Sequence, residues 1–297
     1  SCGQGMVDLE NTRKKCEKCK GAVRADTDTF DTWFSSAQWP FATLGYPQGK
    51  DFGAYYPTDV METAGEIIFF WVARMIMLGL YVTGKIPFRT VYLHGLVLDA
   101  KGQKMSKSRG NVINPLDYTA KFGTDALRIG LVVGNTPGTS LALSEDKIKG
   151  YKHFSNKLWN ITRFILENIT PLNPPSQEGG RKESDAESKL QEELDALLAD
   201  VTKDMETYRF YLAAEKLYHY VWHQLADKIL EESKIILKSG TPEEQKSRQQ
   251  FLLNALETVL KVLHPFMPFV TEEIWQLWKQ PETKDGMLMV QKWPVRK

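Results

Sequence analysis

The chain is poor in cysteine, nearly free of net charge and short of long hydrophobic runs. Its 297 residues hold three cysteines, Cys2, Cys16 and Cys19, all close to the first residue. A secreted disulfide scaffold carries more of them, in pairs, so a reducing, cytoplasmic setting is expected. Lys and Arg number 38 against 37 Asp and Glu, a formal charge of +1. That excludes a polycation, and any nucleic-acid partner must be met by a local patch. The first residues, SCGQGMVDLE, lack the basic stretch followed by an apolar one that marks a signal peptide. The longest apolar run, IIFFWVARMIMLGLYV from Ile67 to Val82, is short for a membrane span and carries Arg74. It reads as a buried core helix, and no membrane partner is expected. With 42% hydrophobic and 25% charged residues the composition is globular, and the length suits about two domains.

Three stretches differ in character. Residues 1–25 are polar and hold the cysteines. Residues 26–143 alternate short apolar runs with Gly- and Pro-marked turns. FRTVYLHGLVLD, from Phe88, has the β-branched and aromatic make-up of a strand, and Glu66–Leu80 and Asp125–Val133 read as helices. This alternation predicts an α/β layer with a partly parallel sheet. From Ser144 to Lys297 the patterns are helical. Ala214, Leu217, Val221 and Leu225 make one stripe, and Leu253, Leu256, Leu260 and Leu263 make another. PLNPPSQEGGRKES, from Pro171, reads as a loop. Pro265 breaks a helix, and VTEEIWQLW starts the next with Glu272 and Glu273 in its first turn, where the helix dipole favours acids. Four or five such helices make a bundle.

The strongest chemical signal is GQKMSKSRGN, Gly102 to Asn111. Lys101, Lys104, Lys107 and Arg109 place four positive charges in nine residues, with Met105, Ser106 and Ser108 among them. Lysines supply point charges, and hydroxyls and backbone N–H groups supply hydrogen bonds, which suits a polyphosphate. The plainer reading, a solvated basic loop, is weakened by the apolar strand that leads straight into it. Two further pairs carry plainer readings. Cys16 and Cys19 form a C-x-x-C knuckle, CEKCK, with Cys2 as a third thiol, but structural zinc takes four ligands. His219 and His223 stand four apart in HYVWH, which lacks a catalytic Glu, so a surface or packing role is expected.

KMSKS, together with DTWFSSAQWPFATLGYP, EIIFFWVARMIMLGL, VYLHGLVLDAKGQKMSKSRGNVINPLD, NKLWNITRF and LHPFMPFVTEEIWQ, resembles the class I aminoacyl-tRNA synthetases in the order of their motifs. DTWFSS and FFWVARM are similar to the valine type, where the isoleucine type tends to carry DVWFDSG. The resemblance covers nearly the whole chain. It implies the second half of a Rossmann-like α/β catalytic domain followed by an all-α, anticodon-binding helical bundle. Residues 1–25 are then the end of an editing insertion with its zinc knuckle.

The resemblance implies a function as well: ATP-dependent valine activation, with Mg²⁺, and transfer to a valine-type tRNA by a monomeric parent enzyme. Lys104 and Lys107 are implied as catalytic residues. His94, Gly95, Glu66, Met105, Ser106 and Ser108 are implied in ATP binding, and Trp33, Ile67 and Trp71 in the valine pocket, with Ile67 and Trp71 on one helix face and Trp33 closing from the sheet. Gly95 lacks a Cβ, which lets the adenine ring approach closely. Glu66 stands where the subfamily usually has Asp, one methylene shorter. Cys2, Cys16 and Cys19 are implied as ligands of a structural Zn²⁺ whose remaining ligand lies upstream of Ser1. No HIGH-type string occurs in the 297 residues. The chain is therefore expected to hold one half of a split ATP site and to be inactive, or nearly so, by itself. Two alternatives stand beside this reading: a non-catalytic tRNA-binding module or paralogue, and an isoleucine-type ligase.

Overall fold

The computed structural model describes residues 2–8, 10, 12–169, 185–279 and 286–295. The loop expected from Pro171 lies outside them. The chain divides into two compact units, Ser1–Val91 and Tyr92–Lys297.

The first unit opens on a cysteine turn and continues through three short helices, α1 (Thr32–Ser36), α2 (Trp39–Ala42) and α3 (Lys50–Tyr55), to strand β1 (Thr58–Ala64). A 3-10 turn, Gly65–Ile67, and a π-helical turn, Ile68–Val72, lead into α4 (Ala73–Thr83), which stops at Gly84 in the left-handed region. Strand β2 (Phe88–His94) pairs with β1. The core is small: Met61, Val72, Met75 and Phe88, flanked by Trp71, Ile76 and Val91.

The apolar run is therefore no buried core helix. Over Gly65–Thr83 it is long and apolar enough to cross a membrane by length and composition, yet only 17% of its most apolar window is buried. Val72, Met75 and Gly79 face the core, whereas Phe69, Met77 and Tyr81 stand exposed. Arg74, midway along, reaches the Asp31 carboxylate at 3.3 Å. The run is also not one α-helix. Ile67 has φ −109° and ψ 15°, outside the helical basin, and the π turn follows it. An i, i+4 argument for Ile67 and Trp71 presumes α-helical turns that the backbone does not make there. Single π turns of this kind gather at functional sites.

In the second unit, β3 (Val97–Leu98) pairs in parallel with β4 (Leu141–Ala142). The strand expected from Phe88 through Asp99 is thus two strands with a break at Gly95-Leu96. The break has a steric cause. A Cβ on Gly95 would stand 1.3 Å from the Thr139 carbonyl oxygen, so the chain entering β4 occupies that space. Between the strands lie the basic loop, α5 (Pro115–Phe122) and α6 (Thr124–Val132). Asn114 caps α5 by accepting from the Leu116 N–H, with Pro115 at the first helical position, where its missing N–H costs nothing. Phe122, Ala126, Leu127, Leu143 and Ile148 form a local core beneath them.

The bundle comprises α7 (Glu145–Glu167), α8 (Asp185–Glu206), α9 (Phe210–His219), α10 (Glu231–Ser239), α11 (Pro242–Leu263) and α12 (Pro268–Lys279), with a π-helical segment, Tyr220–Leu230, joining α9 to α10. Ser144 caps α7, and Thr241 with Glu244 forms a reciprocal capping box on α11. Ala214, Leu217, Val221 and Leu225 are all buried in the main core, with Leu256, Leu260 and Leu263 beside them and Leu253 packed at its edge. Helix α12 starts two residues earlier than expected, at Pro268, a favoured first position. Glu272 is then in its second turn, where it accepts from the Leu288 and Met289 N–H groups rather than meeting the helix dipole. The dipole end is met by Asp125 of α6, which accepts from Phe269 N at 3.2 Å and Val270 N at 2.6 Å. Arg128, one turn on, donates to the Pro265 and Phe266 carbonyls. The helices that follow the basic loop are thereby fastened to the α11–α12 corner.

Candidate active site

The basic loop is built outward from β3. Asp99, just past the strand, takes the Lys101 N–H at 2.9 Å and the Gln103 N–H at 2.8 Å on Oδ1. Its own N–H donates to the Gln103 carbonyl, and Gly102 turns the chain with φ 74°. Asp and Gly supply such turns because one side chain bonds the backbone two residues on and the other tolerates positive φ. Lys104 then makes an antiparallel bridge back to Leu98. Across the loop, Asn111 donates from Nδ2 to Asp99 Oδ2 at 2.9 Å and accepts the Ser106 N–H on Oδ1 at 2.9 Å. The Asn111 amide and then the Gln103 N–H hold the Asp99 carboxyl below its ordinary range.

Lys107–Arg109 is a single 3-10 turn closed by Gly110 at φ 67°. Lys101, Lys104, Lys107 and Arg109 are exposed. The Ser106 and Ser108 hydroxyls lie 3.2 Å apart. Met105 is half-buried, and its sulfur accepts from the Ile113 N–H, which anchors the underside of the loop. A recess of about 560 Å³ is lined by Asp99, Lys101, Gln103, Arg109, Asn111 and Ile113. Lys101 and Arg109 bring cations to its lining, and the Asp99–Asn111 pair is part of the same lining. Chemically the loop offers ammonium groups, two hydroxyls and a turn of backbone N–H groups, a donor set for phosphate oxygens. Nearby, the His94 ring Nδ1 lies 3.0 Å from the Gly95 carbonyl. Gly95 is required by the Thr139 backbone, and that contact differs from the ring contact expected from the sequence.

In the first unit the aromatic residues meet across helix α1. Trp33 sits on that helix rather than on a strand, because Asp31 caps it by accepting the Trp33 N–H. The Trp33 ring stacks on Phe70 at 5.8 Å, and the Trp71 ring faces Trp39 at 6.4 Å. The Trp71 indole donates to the Ser36 carbonyl at the end of α1. Ile67 is half-buried and Glu66 exposed, both in the 3-10 turn that precedes the π turn.

The cysteine turn brings all three thiols together. Cys16 donates its N–H to Gly21 and accepts that of Lys20, and the bridge Lys15–Ala22 closes the turn. The sulfurs of Cys2, Cys16 and Cys19 lie within 4.8 Å of one another, Cys2 and Cys16 at 3.6 Å. Thiolates around a tetrahedral zinc, each about 2.3 Å from it, stand about 3.8 Å apart, so the cluster fits three of four positions. The Gly21 backbone and the neighbouring thiols lower the Cys19 thiol to about 7. In the bundle, the His219 and His223 rings stack at 5.6 Å, and His223 Nδ1 lies 3.5 Å from Asp227, which also holds Lys157. Both histidines are exposed and sit among packing and ionic partners.

Asp99 and the caps Asp31 and Asp125 were not singled out among the site residues expected from the sequence. The signal for Asp99 was present: an Asp followed three residues later by Gly, beside a charged loop. Asp125 gave none, since its partners lie far along the chain.

This arrangement, a small parallel pairing, a cation-bearing loop after β3 and a helical bundle, is the fold of the class I synthetases. The family model described as "tRNA synthetases class I (I, L, M and V)" matches residues 4–144, and "Anticodon-binding domain of tRNA ligase" matches residues 187–297. The chain carries a class I tRNA synthetase domain followed by an anticodon-binding domain. Among curated relatives, the valine–tRNA ligase of Carboxydothermus hydrogenoformans is 42% identical over 298 residues, covering 99% of this chain and 33% of its own length. That of Pelagibacter ubique is 46% identical over 270 residues, covering 91% and 31%. The chain thus spans about a third of the length of these relatives. Among solved structures, the ternary complex of Agrobacterium radiobacter K84 agnB2 LeuRS-tRNA-LeuAMS has a TM-score of 0.71 at 21% identity, covering 95% of this chain and 34% of that one. Mycobacterium tuberculosis methionyl-tRNA synthetase bound by methionyl-adenylate has a TM-score of 0.65 at 23% identity, covering 83% and 49%. These two share the fold.

Proposed function

We propose that the chain is the signature-loop half of a valine-activating site joined to the bundle that receives the tRNA, in a valine–tRNA ligase. The observation that carries this is the four-cation loop on its braced strand end, in a chain 40–46% identical to valine–tRNA ligases. ATP enters as its Mg²⁺ complex. A valine carboxylate oxygen attacks the α-phosphorus, the new P–O bond forms, and the bond to the β-phosphate bridge breaks. Pyrophosphate leaves with the electron pair. Lys104 and Lys107 neutralise it, and Ser106, Ser108 and the Met105 segment donate hydrogen bonds to its oxygens. His94 and Gly95 present strand-end backbone to the adenine, and Glu66 accepts from the ribose hydroxyls. Trp33, Ile67 and Trp71 enclose the valine side chain. A ribose hydroxyl of the tRNA's terminal adenosine then attacks the valyl carbonyl and AMP departs. The bundle meets tRNA mostly through shape and phosphate contacts. Amino-acid-dependent exchange of pyrophosphate into ATP tests this reading, with valine preferred over its larger neighbours.

The cysteine turn, in the same reading, holds a structural Zn²⁺ with a fourth ligand from outside the three thiols. The protein carrying this chain, purified under reducing conditions, is expected to contain about one zinc per molecule from this site. Cys16→Ala, which removes the buried thiol, is expected to lose it. Elemental analysis decides: an unchanged zinc content in the variant leaves the turn without a metal role.

A further inference from the structure

We propose that Asp99 and Asn111 form a latch that positions the lysines of the basic loop, which makes them positioning residues for the activation step; the inference rests on the reading of the loop given above. Neither residue is a phosphate binder by chemistry. Asp99 carries the wrong charge, and both Asn111 polar atoms are engaged with the loop itself. What they do is connect its parts. One Asp99 oxygen fixes the 101–103 turn through two N–H groups, and the other receives Asn111. Asn111 reaches back to accept the Ser106 N–H, and its Nδ2 lies 3.3 Å from the Lys104 carbonyl. The backbone on both sides of Met105 is therefore tied to a single carboxylate, and that carboxylate is anchored at the end of β3.

The purpose follows from what the loop must deliver. Two ammonium groups three residues apart act together only if the backbone between them is already ordered when the charge develops. A basic loop has every electrostatic reason to splay, because its four cations repel one another. Asp99 supplies a fixed negative charge at the base of the loop, and its bonds are charge-assisted and short, between 2.8 and 2.9 Å. The polarity of the pair is also directional. Asp99 offers acceptors only, so Asn111 must turn its NH₂ toward Asp99 and its oxygen toward Ser106.

That polarity can be reversed. Asp99→Asn sets an NH₂ group against donors whichever way it turns. Asn111→Asp sets one carboxylate against another. The double swap, Asp99→Asn with Asn111→Asp, again faces a donor to an acceptor at the 99–111 contact and keeps an acceptor for the Ser106 N–H. In valine-dependent pyrophosphate exchange by the protein carrying this chain, each single change is expected to lower kcat by about 10- to 100-fold with the valine KM within about twofold. The swap is expected to recover about tenfold over Asn111→Asp. Singles within twofold of wild type, a swap no better than the worse single, or a loss carried by the valine KM would each overturn the proposal. Absence of any Lys104-dependent exchange in the wild type is a failure of the functional reading, not of the latch. The latch is then read from amide hydrogen exchange: Asn111→Ala is expected to speed exchange at Gln103 and Ser106 by about tenfold or more, and unchanged protection contradicts it.

Discussion

Lys104→Ala and Lys107→Ala are each expected to lower kcat for valine-dependent pyrophosphate exchange by about 10²–10³-fold. The valine KM is expected to stay nearly unchanged, because in the proposed reaction the lysines meet charge that develops as pyrophosphate leaves, and interactions made only in the transition state appear in kcat. Lys101 sits within the Asp99-bound turn, before the Lys104–Lys107 segment, and lines the recess instead. Lys101→Ala is therefore expected to cost less than either. The three variants, assayed at saturating ATP and valine, separate a loop that acts through placed charges from one that acts through net charge. Equal losses at all three positions would favour net charge.

The second large effect is on stability. Arg248 and Glu187 form an ion pair at 2.9 Å with side chains 3% and 8% exposed, and Arg248 also donates to the buried Ser233 hydroxyl. Arg248→Ala removes the buried guanidinium that Glu187 and Ser233 both face, and is expected to destabilise the bundle by about 3–5 kcal/mol. Arg248→Met combined with Glu187→Leu removes both charges at similar volume, and is expected to stay within about 1–2 kcal/mol of wild type. Urea unfolding followed by far-UV circular dichroism checks both. A double variant as unstable as the single would place the cost in lost packing rather than in the broken ion pair.

Much of the fold was legible because it follows from periodicity. The stripe Ala214, Leu217, Val221 and Leu225 is buried along its length, and the break at Pro265 separates α11 from α12. The basic loop was legible because its charges and glycines leave few other uses for the segment. What was not legible depends on contacts between distant residues. Nothing near Gly95 in sequence announces that Thr139 will pack against it, so this second demand on its missing Cβ was not legible. Trp33 reads as strand by its aromatic company, but the Asp31 cap winds it into α1. The π turn at Ile68–Val72 breaks the helical spacing that placed Ile67 over Trp71, and hydrophobic pattern alone does not reveal a π turn. The Asp125 cap on α12 moved the helix start to Pro268 and left Glu272 to bind the chain at Leu288 and Met289. The apolar run from Ile67 reads as buried because apolar residues usually are, yet much of its surface is exposed among the described residues.

Valine activation is the centre of the proposed function. The direct measurement is pyrophosphate exchange by the protein carrying this chain, run in parallel with valine, isoleucine, leucine and methionine. The proposed valine pocket of Trp33, Ile67 and Trp71 is expected to exclude isoleucine by steric overlap of one methylene, a penalty of about 1–3 kcal/mol, or roughly 10- to 100-fold in kcat/KM. Valine is expected first, with isoleucine lower by that factor, leucine and methionine lower still, and the valine signal falling by about 10²-fold or more in Lys107→Ala. Isoleucine activated as well as valine or better, or a valine signal indifferent to Lys107, would contradict the proposed function.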